Sequence, residues 1–138
     1  MVVPGLSAAG DPQVTTLRIL VVDDNRDAAE LLDETLRAMG HAAHLAFDGH
    51  SALQAAEAFQ PNVALIDIGL PVMNGYQLAD QLRGLNCCAN VRLIAVTGYG
   101  HDSDKERSRD AGFHAHLVKP IDFNDLKLLL QQLVAQGA

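Results

Sequence analysis

Residues 63–67, Val63-Ala64-Leu65-Ile66-Asp67, are four apolar side chains ended by a carboxylate, and Gly69-Leu70-Pro71 follows as a turn. A short apolar run bounded by turn residues reads as a strand covered on both faces. Three more segments repeat the design. Residues 17–22 end in Asp23-Asp24, residues 93–96 in Thr97, and residues 115–118 in Lys119.

Helical periods lie between these runs. The first helix is predicted over about 25–39, with Ala28, Leu32, Leu36 and Met39 as its apolar stripe and Gly40 as terminator. A weaker, more polar strand near 42–46 belongs at a sheet edge and is followed by a helix over 49–59, closed by Pro61. A helix over 74–83 turns Leu78, Ala79 and Leu82 inward, and a strand over 91–96 leads into Gly98-Tyr99-Gly100. A polar helix over 103–111, a strand over 114–118 and a last helix over 123–135 complete the alternation. Leu126, Leu129, Leu130 and Leu133 mark the inner face of that helix. Strands separated by helices imply right-handed crossovers and a doubly wound α/β fold with a five-stranded parallel sheet, helices on both faces. Ligands of such sheets bind beyond the carboxyl ends of the strands. Asp23, Asp24, Asp67, Thr97 and Lys119 all fall there.

The chain has 138 residues, which suits one domain over 17–136; residues 1–16, rich in Gly, Pro, Ser and Ala, read as a linker or leader. A net charge of −7 argues against a nucleic-acid surface. Lys105, Arg107 and Arg109 alternate with Asp102, Asp104, Glu106 and Asp110, the pattern of a solvated helix face. Adjacent Cys87 and Cys88 fit neither a disulfide framework nor a spaced zinc site and read as loop thiols in a reducing compartment. No apolar run reaches the roughly 20 residues of a bilayer span, and the start lacks a basic signal-peptide region. The expectation is a cytoplasmic domain with no direct membrane contact.

Three carboxylates in one crevice require a cation, because two unit charges about 4 Å apart repel by roughly 4 kcal/mol at an effective dielectric near 20. Oxygen-only ligands favour Mg²⁺, or Mn²⁺, over zinc or copper. Lys119 adds a second positive charge and Thr97 a neutral donor. That combination suits phosphoryl transfer to a carboxylate, with Asp67 as nucleophile and the adjacent pair Asp23-Asp24 holding metal. Each residue also has a plainer reading: Asp24 and Asn25 as helix caps, Thr97 as a strand residue, Lys119 as a solvated strand end.

These residues resemble the response-regulator receiver domain of two-component signalling. The likeness is carried by Ile19-Leu20-Val21-Val22-Asp23-Asp24-Asn25, by Leu65-Ile66-Asp67-Ile68-Gly69-Leu70-Pro71-Val72-Met73-Asn74-Gly75, by Ala95-Val96-Thr97-Gly98 and by Leu117-Val118-Lys119-Pro120. The resemblance covers about 17–136 and implies the flavodoxin-like strand order 2-1-3-4-5. It implies Asp67 as phosphoacceptor, and Mg²⁺ held directly by Asp24, Asp67 and the Gly69 carbonyl, with Asp23 acting largely through water. Lys119 would pair with the phosphoryl group, its bond to Pro120 being often cis in this family. Thr97 would move to the phosphoryl oxygen and reshape the surface around the polar helix and the last strand. Gly69 and Tyr99 would flank the water that ends the phosphorylated state.

One position departs from the family pattern. The switch aromatic, usually Tyr or Phe, is His116 here, a polar ring that either couples to Thr97 or simply packs or hydrogen-bonds at the surface. A metal site from His114 and His116 lacks a third ligand. The implied function is a phosphorylation-controlled module whose partners are a histidine kinase or a histidine phosphotransfer protein. It would be a monomer or weak dimer, and not an enzyme beyond its own phosphorylation and dephosphorylation. Thr97-Gly98-Tyr99-Gly100 and residues 107–113 resemble receivers of hybrid sensor kinases; a free-standing regulator is the alternative. A Mg²⁺-dependent phosphatase with an aspartyl nucleophile would carry Asp-x-Asp after its first strand, whereas this chain has Asp-Asp. A phosphorylation-independent receiver would lack one of the site residues, and none is missing.

Overall fold

Five parallel strands lie side by side in the computed structural model, which describes residues 16–98, 109 and 111–136. They are β1 (Arg18–Val22), β2 (Ala42–Ala46), β3 (Val63–Asp67), β4 (Arg92–Thr97) and β5 (Ala115–Val118), in spatial order β2-β1-β3-β4-β5. The expected order 2-1-3-4-5 is therefore the observed one, and the polar strand β2 does lie at an edge. The helices are α1 (Arg26–Ala38), α2 (Gly49–Phe59), α3 (Gly75–Arg83) and α4 (Phe123–Ala135). The polar helix expected over 103–111 and the segment 1–15 lie outside the described residues, apart from Arg109 and Ala111. Tyr99 and Gly100 do too.

Alternation along each strand divides the core into two layers. Leu20, Val22, Ala64, Ile66, Leu93 and Ala95 pack with Ala52 and Ala56 of α2 and Leu78, Ala79 and Leu82 of α3. Ile19, Val21, Val63, Leu65, Ile94 and Val96 face the other way, onto Leu32 and Leu36 of α1 and Leu126, Leu130 and Leu133 of α4. Every residue of β3 is buried, as its unbroken apolar run requires of a central strand. The stripe of α1 is rotated slightly from expectation: Ala29 is buried and Ala28 only partly so.

Local chemistry sets the helix starts. Asn25, Asp48, Asn74 and Asp122 cap α1 to α4 with their side chains, and at α3 Asn74 and Gln77 form a reciprocal capping box. Register aligns the strand ends, pairing Val22 with Ile66, Asp67 with Val96 and Thr97 with Val118. The chain leaves β1 toward β2 on one side and returns to β3 on the other. The carboxyl ends of β1 and β3 therefore flank the switch point, where such sheets open a crevice.

Candidate functional site

Asp23 and Asp67 are buried at 3% and 8% exposure, and each is held by the backbone that follows it. The Asn25 N–H donates to Asp23 Oδ1 at 2.9 Å, and the Gly69 N–H to Asp67 Oδ1 at 2.9 Å. Both turns aim a carboxylate back over the strand end. Asn25, not Asp24, supplies the cap of α1, accepting from the Ala28 N–H at 3.1 Å. Asp24 is thus left exposed and uncommitted to capping.

Oxygens of Asp23, Asp24 and Asp67 all lie within 4.8 Å of one another. Oxygen ligands about 2.1 Å from a Mg²⁺ ion lie about 3.0 Å apart when adjacent and about 4.2 Å when opposite, so three carboxylates within 4.8 Å of one another can hold one ion between them, directly or through water. The donor set is hard and oxygen-only, and it fits Mg²⁺ or Mn²⁺. At Gly69 it is the N–H that engages Asp67.

Lys119 enters from the last strand. Its N–H bonds to the Thr97 carbonyl at 2.7 Å, and the Lys119–Pro120 peptide is cis. The ammonium bridges two carboxylates, 3.1 Å from Asp23 Oδ2 and 3.2 Å from Asp67 Oδ2. Burial pulls the Lys119 ammonium down, but the hydrogen bond to Asp23 and the charges of Asp67 and Asp23 outweigh it, and the pKa stands above its usual value. Burial also dominates at Asp23, holding its carboxyl above the ordinary range despite the Asn25 N–H and Lys119. Three carboxylates against one ammonium leave the crevice with surplus negative charge.

Thr97, 5% exposed, places Oγ1 3.0 Å from His116 Nε2. The imidazole, half-buried on β5, therefore reaches the Thr97 hydroxyl directly. His114 takes a different role, its Nδ1 accepting the Leu93 N–H at 3.1 Å. The two histidines share no metal site.

Two contacts were not read from the sequence: the direct Lys119–Asp23 pair and the close approach at Gly75. A Cβ on Gly75 would lie 2.7 Å from Ile68 Cα and 2.8 Å from the Asp67 carbonyl oxygen. Only glycine lets α3 start against the loop after Asp67, where the Gly75 N–H bonds to the Ile68 carbonyl at 3.1 Å. Cys87 and Cys88 sit as free thiols in a 3₁₀ turn between α3 and β4 with sulfurs 3.4 Å apart, Cys87 half-buried and Cys88 buried. Desolvation, reinforced by Cys87, pushes the Cys88 thiol up to about 12.

Comparison with known proteins agrees with this geometry. The model of the response regulator receiver domain matches residues 19–131. An uncharacterized 14.6 kDa protein of Leptolyngbya boryana is 33% identical over 114 residues, covering 83% of this chain and 87% of that one. The transcriptional regulatory protein PrrA of Mycobacterium tuberculosis is 31% identical over 124 residues, and the chain spans 52% of its length. Among solved structures, the receiver domain of sensor histidine kinase PA1611 from Pseudomonas aeruginosa, with a magnesium ion coordinated in its active site cleft, superposes with a TM-score of 0.78. It is 30% identical and is covered to 98%, against 87% of this chain. The Vibrio cholerae chemotaxis protein CheY4 gives a TM-score of 0.80 at 26% identity, with 85% of this chain and 98% of that one covered.

Proposed function

Since this chain belongs to the response regulator receiver domain family, we propose that Asp67 accepts a phosphoryl group from a phosphohistidine of a histidine kinase or histidine phosphotransfer protein. The observation that carries the reading is the convergence of Asp23, Asp24, Asp67 and Lys119 at one strand-end crevice. Asp67 Oδ forms the new O–P bond as the P–N bond of the donor breaks, and the departing imidazole keeps the electron pair and takes up a proton. Asp24, Asp67 and the Gly69 carbonyl would hold Mg²⁺ (or Mn²⁺) directly and Asp23 through water, and the bound ion offsets charge on the phosphoryl oxygens.

The chain's own residues do the rest. The Gly69 N–H orients the attacking carboxylate. Lys119 lies within ion-pair reach of Asp67 and turns from that carboxylate to the arriving phosphoryl oxygens. Thr97 then donates its hydroxyl to a phosphoryl oxygen, which changes its bond to His116, and the shift of that ring alters the β4–β5 surface offered to a partner. In this reading the chain phosphorylates and dephosphorylates only itself, works in the cytoplasm, and has its receiver over 17–136 with 1–16 as linker. The likeness to the PA1611 receiver supports a place in a hybrid sensor kinase; a free-standing regulator is the alternative.

Incubation with Mg²⁺ and a small phosphodonor, followed by intact-mass measurement, tests the assignment. One added phosphoryl group is expected, absent in Asp67→Asn and absent when Mg²⁺ is chelated. Labelling that survives Asp67→Asn would refute it.

A further inference from the structure

At the opposite end of the sheet, where β3, β4 and β5 begin, lies an open cavity of 810 Å³ bordered by Arg83, Arg92, His114, Asn62, Asn90 and Gly112. Five residues of strand at about 3.3 Å each put it roughly 17 Å from Thr97, well away from the carboxylate crevice. Its charge runs against that of the chain, which is −7 overall. Among the described residues, the Arg92 guanidinium meets only the Gln136 amide oxygen, at 3.4 Å, and no carboxylate. Arg83 has one loose ion pair, 3.7 Å to the solvent-exposed Asp80.

The position of Arg83 is built in. Gly112 adopts φ +92°, and a Cβ there would fall on the Arg83 guanidinium, which donates to the Ala111 carbonyl. The missing side chain leaves the space that the guanidinium fills at the cavity wall. His114 is fixed as well. Its Nδ1 accepts the Leu93 N–H, so the neutral ring carries its proton on Nε2. Burial, then the charges of Arg92 and Arg83, hold the His114 pKa below its ordinary value, so both guanidiniums are felt at the ring.

We propose that this cavity binds a small phosphate-bearing metabolite, with Arg83 and Arg92 taking the phosphate oxygens and Asn62 and Asn90 facing the remainder of the molecule. Guanidinium forks match phosphate oxygens two at a time; among the described residues Arg92 donates only to the Gln136 amide oxygen, and Arg83 to the Ala111 carbonyl and loosely to Asp80, which leaves N–H groups on both for phosphate oxygens. The volume exceeds what orthophosphate needs and falls within the roughly 300–1,000 Å³ of small-molecule sites.

The test is titration of the full chain, free of divalent metal, with inorganic pyrophosphate, adenosine 5′-monophosphate and phosphate-free succinate. Isothermal titration calorimetry gives affinity and amide and imidazole NMR gives location. Saturable binding of the two phosphates is expected, with shifts centred on Leu93, Gly112 and His114. Succinate should bind at least tenfold more weakly. Arg92→Gln should weaken phosphate binding about tenfold or more, since a hydrogen bond to a charged group carries about 1.5–3 kcal/mol. Arg83→Gln should do the same if its NMR spectrum remains that of the folded chain; Arg92→Gln alone decides if it does not. The proposal is overturned by no binding at 10-fold molar excess over millimolar protein, by succinate binding as tightly, by binding unchanged in Arg92→Gln, or by shifts centred on Asp67 and Lys119 instead. Loss of binding at the cavity leaves the phosphorylation of Asp67 untouched, since the two sites lie at opposite ends of the sheet.

Discussion

Thr97 Oγ1 and His116 Nε2 are 3.0 Å apart, so a hydroxyl at the end of β4 and an imidazole on β5 are joined by a direct hydrogen bond. A phenyl ring at position 116 could not make it, and a tyrosine hydroxyl extends further from the backbone. Histidine at this position makes the link between the two strands a directional one. A double-mutant cycle of Thr97→Val and His116→Phe, read by urea unfolding, should return a coupling of about 1 kcal/mol, the net worth of such a bond. Additive effects would show that the two groups do not act together.

Lys119 is the only cation within reach of both buried carboxylates among the described residues. Lys119→Met leaves Asp23 and Asp67 facing each other without it. With Mg²⁺ chelated, stability should fall by about 1–2 kcal/mol, between the values for an exposed pair and for a broken buried one because the ammonium is a third exposed. Asp23→Asn in the same background should recover part of the loss. A further decline would mean that Asp23 is stabilised by contacts other than the lysine.

His41 and His114 do similar structural work at different strand starts. His41 Nδ1 accepts the Leu17 N–H at 3.0 Å and His114 Nδ1 the Leu93 N–H at 3.1 Å. Both pKa values are lowered, first by burial, with the neighbouring arginines adding to it at His114. A group depressed below 6.5 gives stability that is present above 6.5 and lost as pH falls through its folded value. Urea midpoints should therefore drop as pH falls below about 6.5, and the drop should shrink in His41→Asn/His114→Asn. An equal drop in that variant would move the cause to other groups.

Gly75→Ala should destabilise the fold by about 1–3 kcal/mol, the usual cost of overpacking, because its Cβ meets backbone atoms of Ile68 and Asp67 that cannot yield as a flexible side chain would. Backbone movement there shifts the acceptor carboxylate, so the rate of phosphorylation by a small donor should fall with stability. Gly84→Ala, in α3's C-cap, where the nearest contact is 3.3 Å to the Gln81 carbonyl oxygen, serves as control and should leave that rate unchanged.

Much of this was legible in the residue order. Apolar runs closed by Asp23, Asp67, Thr97 and Lys119 imply buried parallel strands whose ends gather in one crevice, because period and polarity are local properties. The last helix, Phe123–Ala135, agrees with its predicted bounds for the same reason, as an i, i+3, i+4, i+7 pattern and a capping Asp122 act within a few residues. Which groups touch inside the crevice is set by register and side-chain direction between strands far apart in the chain. The sequence alone determined an α/β fold with its carboxylates and lysine at one edge. Only the tertiary structure decided that Lys119 bridges Asp23 to Asp67, that His116 holds Thr97, and that Gly112 makes room for Arg83, because each contact is measured across elements whose spacing no local pattern encodes.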